Sequence, residues 1–277
     1  MENSIKLSDG SLIPRVGFGT YLLNGYTGVN AISSALNNGY RFLDSAFNYD
    51  NEAVVGEAIR RSDVSRDEIT VLSKLPGRFH KYEQAIQAIQ ESVLRTGLDY
   101  IDLYLIHWPN PNQKLYVEAW QALIDAQKFG LVKSIGVSNF LPEHLEKLEL
   151  ETGILPVVNE IELQPYFNNS DLRNYNASKG IITIDWSPLG RANEMLKDQT
   201  IGTIAAAHNK TIAQVILRWE LQLDTITVPK ATSQSRQLEN LNVFDFELTP
   251  AEMQTINTLT RADGRTSNQD PAVHEEF

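Results

Sequence analysis

The chain has 277 residues, 42% hydrophobic and 21% charged, with a formal net charge of −11, which is length and apolar content enough for one large α/β barrel or two ordinary domains. An acidic surface works against nucleic acid and anionic membranes, which need a basic footprint, so neither is expected as a partner. Cysteine is absent, which excludes disulfides and thiolate chemistry.

The opening MENSIKLSDG lacks the apolar stretch of a signal peptide, and no run approaches the roughly eighteen apolar residues of a membrane span, so a cytoplasmic protein is expected. Residues 4–14 alternate polar with apolar around Asp9-Gly10, which predicts a β-hairpin. Short apolar runs then recur at 15–18, 41–44, 70–73, 102–106, 132–137, 157–161, 181–186 and 225–228. Segments of helical period lie between them. Residues 80–95 place Tyr82, Ile86, Ile89 and Val93 on one face and stop at Gly97, and 115–129 do the same with Val117, Trp120, Leu123 and Ile124. Thr211…Gln214 and Thr249…Glu252 read as capping boxes.

Eight strands alternating with helices, without a linker, predict a single (β/α)8 TIM barrel spanning residues 1–277. The hairpin of residues 1–14 is expected at its bottom, and the aperiodic tail 261–277 as a loop over one face. A doubly wound fold is disfavoured because Gly17-Phe18-Gly19 is followed by Leu22 where the third glycine of G-x-G-x-x-G belongs.

Function in such a barrel sits at the C-terminal ends of the strands. Three successive strands end there in ionisable residues: Asp44 with Tyr49 in its loop, Lys74, and His107. Singly, each has a plainer reading, as a turn cap, a loop aromatic, a surface lysine and a core histidine. Together they suit a phenol acting as general acid. Lys74 would favour the Tyr49 phenolate, Asp44 would hold the lysine, and His107 would hydrogen-bond the oxygen that receives the proton. The histidines (His80, His107, His144, His208, His274) show no ligand-like spacing, so no metal is expected.

These residues stand in recognisable surroundings. Gly17-Phe18-Gly19-Thr20, Gly39-Tyr40-Arg41…Asp44-Ser45-Ala46 with Glu52 and Gly56, Leu105 to Pro109, Ile135 to Phe140, Trp186 to Gly190, and Pro229-Lys230 with Arg236, Glu239 and Asn240 follow in order. On these motifs the chain resembles the aldo-keto reductases of the short-looped prokaryotic type, from Gly17 to Asn240. The resemblance implies NAD(P)H-dependent reduction of aldehydes and ketones (small carbonyls, dicarbonyls or keto-sugars), with Asp44, Tyr49, Lys74 and His107 as the catalytic tetrad and Tyr49 the proton donor. It places Gly19, Thr20, Ser138, Asn139, Glu160, Trp186, Ser187, Leu189 and Arg191 at the cofactor. Lys230, Ser233 and Arg236 fall at the adenosine 2′-phosphate, and Glu239 and Asn240 at the adenine.

Two neighbouring cations favour NADPH over NADH. Tyr21, Phe47 and Trp108 are expected to wall the substrate. Two departures stand out: Glu160 where the family has glutamine, and Ala231 where it has serine or threonine. The short turn at Pro76-Gly77 suggests an open site. A monomer is expected, since no self-complementary apolar patch shows. A cofactor-binding protein without turnover and a metal-dependent barrel hydrolase are the alternatives; the occupied tetrad disfavours the first and the missing ligand set the second.

Overall fold

The structure is a computed structural model that describes residues 3–192 and 194–277. Strands β1 (Ser4–Lys6) and β2 (Leu12–Pro14) form the antiparallel hairpin. Eight parallel strands follow in unbroken chain order: β3 (Phe18–Gly19), β4 (Phe42–Asp44), β5 (Thr70–Leu75), β6 (Ile101–Ile106), β7 (Val132–Ser138), β8 (Val158–Glu162), β9 (Ile182–Trp186) and β10 (Ile226–Thr227). Backbone hydrogen bonds close the ring: Gly17 N donates to Thr227 O (2.8 Å), Thr227 N to Arg15 O (3.0 Å) and Gly19 N to Pro229 O (3.2 Å). The predicted (β/α)8 barrel and its hairpin are therefore both present, with helices on the outside as a parallel sheet requires.

The barrel interior is filled by Phe42, Leu72, Leu103, Leu105, Val158, Ile184 and Ile226, and the hairpin adds Leu7 and Ile13 to the same cluster. The helices are α1 (Gly25–Asn37), α2 (Glu52–Arg60), α3 (Tyr82–Thr96), α4 (Tyr116–Lys128), α5 (Pro142–Thr152), α6 (Ser170–Ser178), α7 (Gln199–His208), α8 (Ile212–Gln222), α9 (Gln234–Leu241) and α10 (Pro250–Asn257). Both predicted capping boxes form, at Thr211 and Thr249, and Gly97 ends α3 in a left-handed conformation at φ 65°.

The face of α3 differs from expectation. Ala85, Ala88, Ile89 and Ser92 are buried, while Tyr82, Ile86 and Val93 are only half-buried. Small residues let the helix seat closely on the strands, and the larger ones pack at its flank, where the Tyr82 hydroxyl reaches Asp125 of α4 (3.1 Å). Gly56 has a similar role: a Cβ there would stand 1.7 Å from Thr96 O, so α2 meets the end of α3 only through glycine.

Candidate active site

The C-terminal ends of β4, β5 and β6 bring Asp44, Lys74 and His107 side by side, through the registers Asp44–Leu72 and Lys74–Leu105. Asp44 is set by local bonds. Thr20 accepts Asn51 Nδ2 at its carbonyl (2.7 Å) and donates its own hydroxyl to Asp44 O (2.7 Å), while Ser45 Oγ donates to Asn51 Oδ1 (2.7 Å). After Asp44 the chain makes a 3-10 turn over Phe47–Tyr49, and Asp50 leaves it in the left-handed region (φ 52°). This turn aims Tyr49 back across the strand ends.

Lys74 is fully buried. Its ammonium pairs with Asp44, donates to Ser45 O (3.0 Å) and lies 3.3 Å from Glu160 Oε2. Burial works against that charge, but Asp44 and Glu160 outweigh it and hold the lysine pKa above its ordinary value. Lys74 Nζ sits 5.1 Å from the centre of the Tyr49 ring, and the Tyr49 and His107 rings meet edge to face at 6.0 Å. Burial is the main effect on the Tyr49 phenol and raises its pKa; Lys74 pulls it down, Asp44 and Glu160 push it up. The expected sign of the lysine's effect holds, but the net direction is upward, because burial, joined by the two carboxylates, outweighs it.

Glu160 is itself buried, its Oε2 without a hydrogen-bond partner, and burial with the nearby Asp44 charge pushes its pKa up to about 8.

A cleft of about 1140 Å³ opens over this group. Gly19, Tyr21, Asp44, Tyr49, His107, Trp108, Ser138, Asn139, Glu160 and Trp186 line one part, and Ser187, Leu189, Arg191, Lys230, Arg236, Glu239 and Asn240 the other. Ser138 Oγ donates to Glu160 O (2.9 Å), and Asn139, at φ 63°, donates through Nδ2 to His107 O (3.0 Å). Trp186 Nε1 donates to Asn139 Oδ1 (2.8 Å), so the indole and the amide hold each other. Tyr21 packs on Tyr49 at 5.0 Å, and the Arg191 guanidinium lies 5.9 Å from the Tyr21 ring. Lys230 and Arg236 are exposed, and among the described residues neither has an ion pair or a side-chain hydrogen bond.

Four predicted residues lie outside the lining. Lys74 is behind it and Thr20 beneath it. Phe47 turns into the core against Phe79 (5.6 Å) and the Arg95 guanidinium (3.9 Å), and its neighbour Asn48 takes the lining position. Ser233 precedes α9, with its hydroxyl 3.3 Å from that of Ser235.

Other lining residues carried no signal in the sequence: Asn48, Gln269, His274 and Glu276. Three of them belong to the aperiodic tail, which lies over the mouth of the barrel. At Pro76-Gly77 the expected opening is filled, since Gly77 N donates to Glu276 Oε2 (3.0 Å). Among the described residues no group of three or more histidine or acidic side chains is placed to hold a metal, and no helix is long and apolar enough to cross a membrane.

Residues 15–261 match the Aldo/keto reductase family. The chain is 46% identical to 2,5-diketo-D-gluconic acid reductase B of Corynebacterium sp. (strain SHS752001) over 274 residues, 99% of this chain and 98% of the relative. It is 41% identical to methylglyoxal reductase DkgA of Escherichia coli (strain K12), covering 96% of each. The crystal structure of a point mutant of Gox0644 in complex with NADPH superposes with a TM-score of 0.94 at 40% identity, covering 99% of both chains.

Proposed function

The chain belongs to the aldo/keto reductase family, and from that premise we propose a role for each residue of its cleft. The protein is an NADP(H)-dependent oxidoreductase that reduces carbonyl compounds to alcohols. When bound, NADPH supplies the hydride. The residues supply the proton, the orientation and the field. Tyr49 gives its phenolic proton to the carbonyl oxygen, and His107 donates a hydrogen bond to the same atom. Lys74 stabilises the phenolate left behind, and Asp44 keeps the lysine in place. The phenol is protonated at neutral pH, as a proton donor must be, and Lys74 works against the burial that would make it too weak an acid.

The residues fit the cofactor at both ends of the cleft. Ser138, Asn139 and Glu160 would hold a carboxamide; Glu160 Oε2, close to Lys74 but without an aligned hydrogen bond among the described residues, has room to accept an N–H. The Trp186 indole, held by Asn139, offers a flat face for the ring. Lys230 and Arg236, without an ion pair or side-chain hydrogen bond among the described residues, would take a 2′-phosphate, with Arg236 able to engage it bidentately. Tyr21 and Trp108 would bound the substrate, which we take to be a small aldehyde, dicarbonyl or keto-sugar; the diketogluconate and methylglyoxal reductases similar to this chain support that range. We also propose that the protein acts in the cytoplasm and is a monomer, the latter because exposed large apolar side chains such as Leu12, Tyr26, Leu94 and Leu150 are spread over different elements. Light scattering at a mass other than 31.2 kDa would exclude the monomer.

The observation that carries the reading is the buried Lys74, held between Asp44 and Glu160 under Tyr49, at the base of a cleft that runs to two cations unpaired among the described residues. NADPH oxidation with a panel of small aldehydes and dicarbonyls tests it. Tyr49→Phe should lower turnover by about 10²–10⁴-fold and leave NADPH affinity unchanged. Turnover that survives the substitution would remove Tyr49 as the proton donor.

A further inference from the structure

Residues 264–277 cross the mouth of the barrel and dock beside His107. The crossing starts where Gln164 Nε2 donates to Gly264 O (2.7 Å), at an approach only glycine permits: a Cβ on Gly264 would stand 1.8 Å from Tyr166 O. Further on, His274 packs on Trp108 at 4.3 Å, and Glu275 accepts from Asn112 N (2.7 Å) and Gln113 Nε2 (3.1 Å). Asn110 then grips the main chain of Glu276 from both sides, donating to its carbonyl (2.8 Å) and accepting its N–H (3.0 Å). Gly77 faces the same point, and a Cβ there would stand 2.5 Å from Glu276 O. The Glu276 carboxylate is thereby turned inward. Asn48 Nδ2 donates to it (2.8 Å), as does Gly77 N (3.0 Å), and its Oε1 lies 2.7 Å from His107 Nδ1.

We propose, on the reading of His107 given above, that Glu276 is a positioning residue for carbonyl reduction, holding the His107 imidazole with Nδ1 towards its carboxylate so that Nε2 faces the carbonyl oxygen. A neutral imidazole has one N–H and one acceptor nitrogen. To face a carboxylate at Nδ1 and also donate from Nε2, His107 must carry both protons; Glu276 Oε1 lies 2.7 Å from Nδ1, a close contact without an aligned hydrogen bond among the described residues. A cationic donor suits an oxygen that gathers negative charge during reduction. Burial opposes the charge on Glu276, but His107, Gly77 and Asn48 outweigh it and pull its pKa down to about 2, so the carboxylate persists across the working range.

The other charged or titratable groups around the pair are Tyr49, with Lys74 and Asp44 behind it, His274 and Glu275 on the tail, Arg78 bonded to Asn48, and His80. Burial lowers the His80 pKa to about 4, so it stays neutral through the range that matters.

The test combines side-chain ¹⁵N NMR of His107 across pH with the pH profile of methylglyoxal reduction by NADPH, for wild type, Glu276→Gln, Glu276→Asp and Gly77→Ala. In Glu276→Gln the ¹⁵N chemical shifts of His107 at a fixed pH should change as Nδ1 loses its carboxylate neighbour, and the kinetics should change with them. kcat should fall about tenfold with a smaller change in KM, as expected for an interaction made in the transition state. Glu276→Asp should recover part of the loss. Gly77→Ala, which crowds the tail out while keeping the carboxylate, should reproduce the shift.

Unchanged His107 ¹⁵N chemical shifts in Glu276→Gln overturn the proposal. So do changed ¹⁵N chemical shifts with an unchanged kcat. Wild-type protein that reduces no carbonyl of the panel would instead overturn the reading of the site, a result obtained before any variant is compared.

Discussion

The two ends of the cleft hold their cations in opposite ways. At the deep end Lys74 is fully buried, paired with Asp44 and 3.3 Å from Glu160. At the far end Lys230 and Arg236 are exposed and unpaired among the described residues. A buried ammonium persists only with its charge answered inside the fold. An exposed one costs little to leave waiting for an anion that arrives from outside. The deep cation is thus part of the folded structure, and the outer pair is available for binding. Substitutions should separate the two: at the deep end stability and turnover fall together, and at the far end affinity changes alone.

Lys74→Met is the strongest way to break the contrast. It removes the countercharge of two buried carboxylates, which breaking a buried pair makes costly by roughly 3–5 kcal/mol. It also leaves Asp44 and Glu160 to push the Tyr49 phenol up unopposed, so turnover at neutral pH should fall by about 10²–10⁴-fold. Thermal melts and NADPH oxidation measured on the same preparation check both. A variant as stable as wild type would mean that the carboxylates simply take up protons, and that the deep cation is no more structural than the outer ones.

Arg236→Ala probes the other end with a smaller effect. Loss of a charge-assisted hydrogen bond is worth roughly 1.5–3 kcal/mol, so NADPH affinity should weaken by about 10- to 100-fold. NADH affinity and the melting temperature should stay where they are, since the exposed side chain makes no ion pair or side-chain hydrogen bond among the described residues. Added salt should erode the NADPH preference of the wild type for the same reason. Fluorescence titration with both nucleotides checks this, and equal losses for the two would remove the 2′-phosphate role from Arg236.

The same contrast explains what was legible in the sequence. Strands buried on both faces read as short apolar runs, so the barrel could be counted off, and Asp44, Lys74 and His107 stood out because charge follows an apolar run directly. The far-end residues Lys230 to Asn240 have no such context and were found through family motifs alone. The tail was not legible. Glu276 and His274 sit in an aperiodic, polar stretch, and their place is decided by Asn110, Gly77 and Trp108, residues more than 160 positions away in the chain. Phe47 misled because an aromatic after a strand end suits a substrate wall as well as the core. Its direction depends on Phe79 and Arg95, which local sequence does not reveal.

Glu160 sharpens the comparison most finely, because the resemblance sets a glutamine there. Burial and the Asp44 charge raise its pKa to about 8 in the folded chain, against an ordinary value of 4.5. A group whose pKa is raised by folding binds its proton more tightly in the native state. The stability it contributes is therefore complete below pH 4.5 and is lost as the pH climbs towards 8. Glu160→Gln removes that dependence. The melting temperature of the variant minus that of wild type should grow between pH 5 and pH 8, by at most about 3 °C per pH unit. Arg236→Ala, measured alongside, should show a flat difference, since no buried proton is at stake there. A flat difference for Glu160→Gln as well would mean that Lys74 neutralises Glu160 fully, leaving the carboxylate ionised throughout. The glutamate would then differ from the family's glutamine only in being unable to donate to a bound carboxamide.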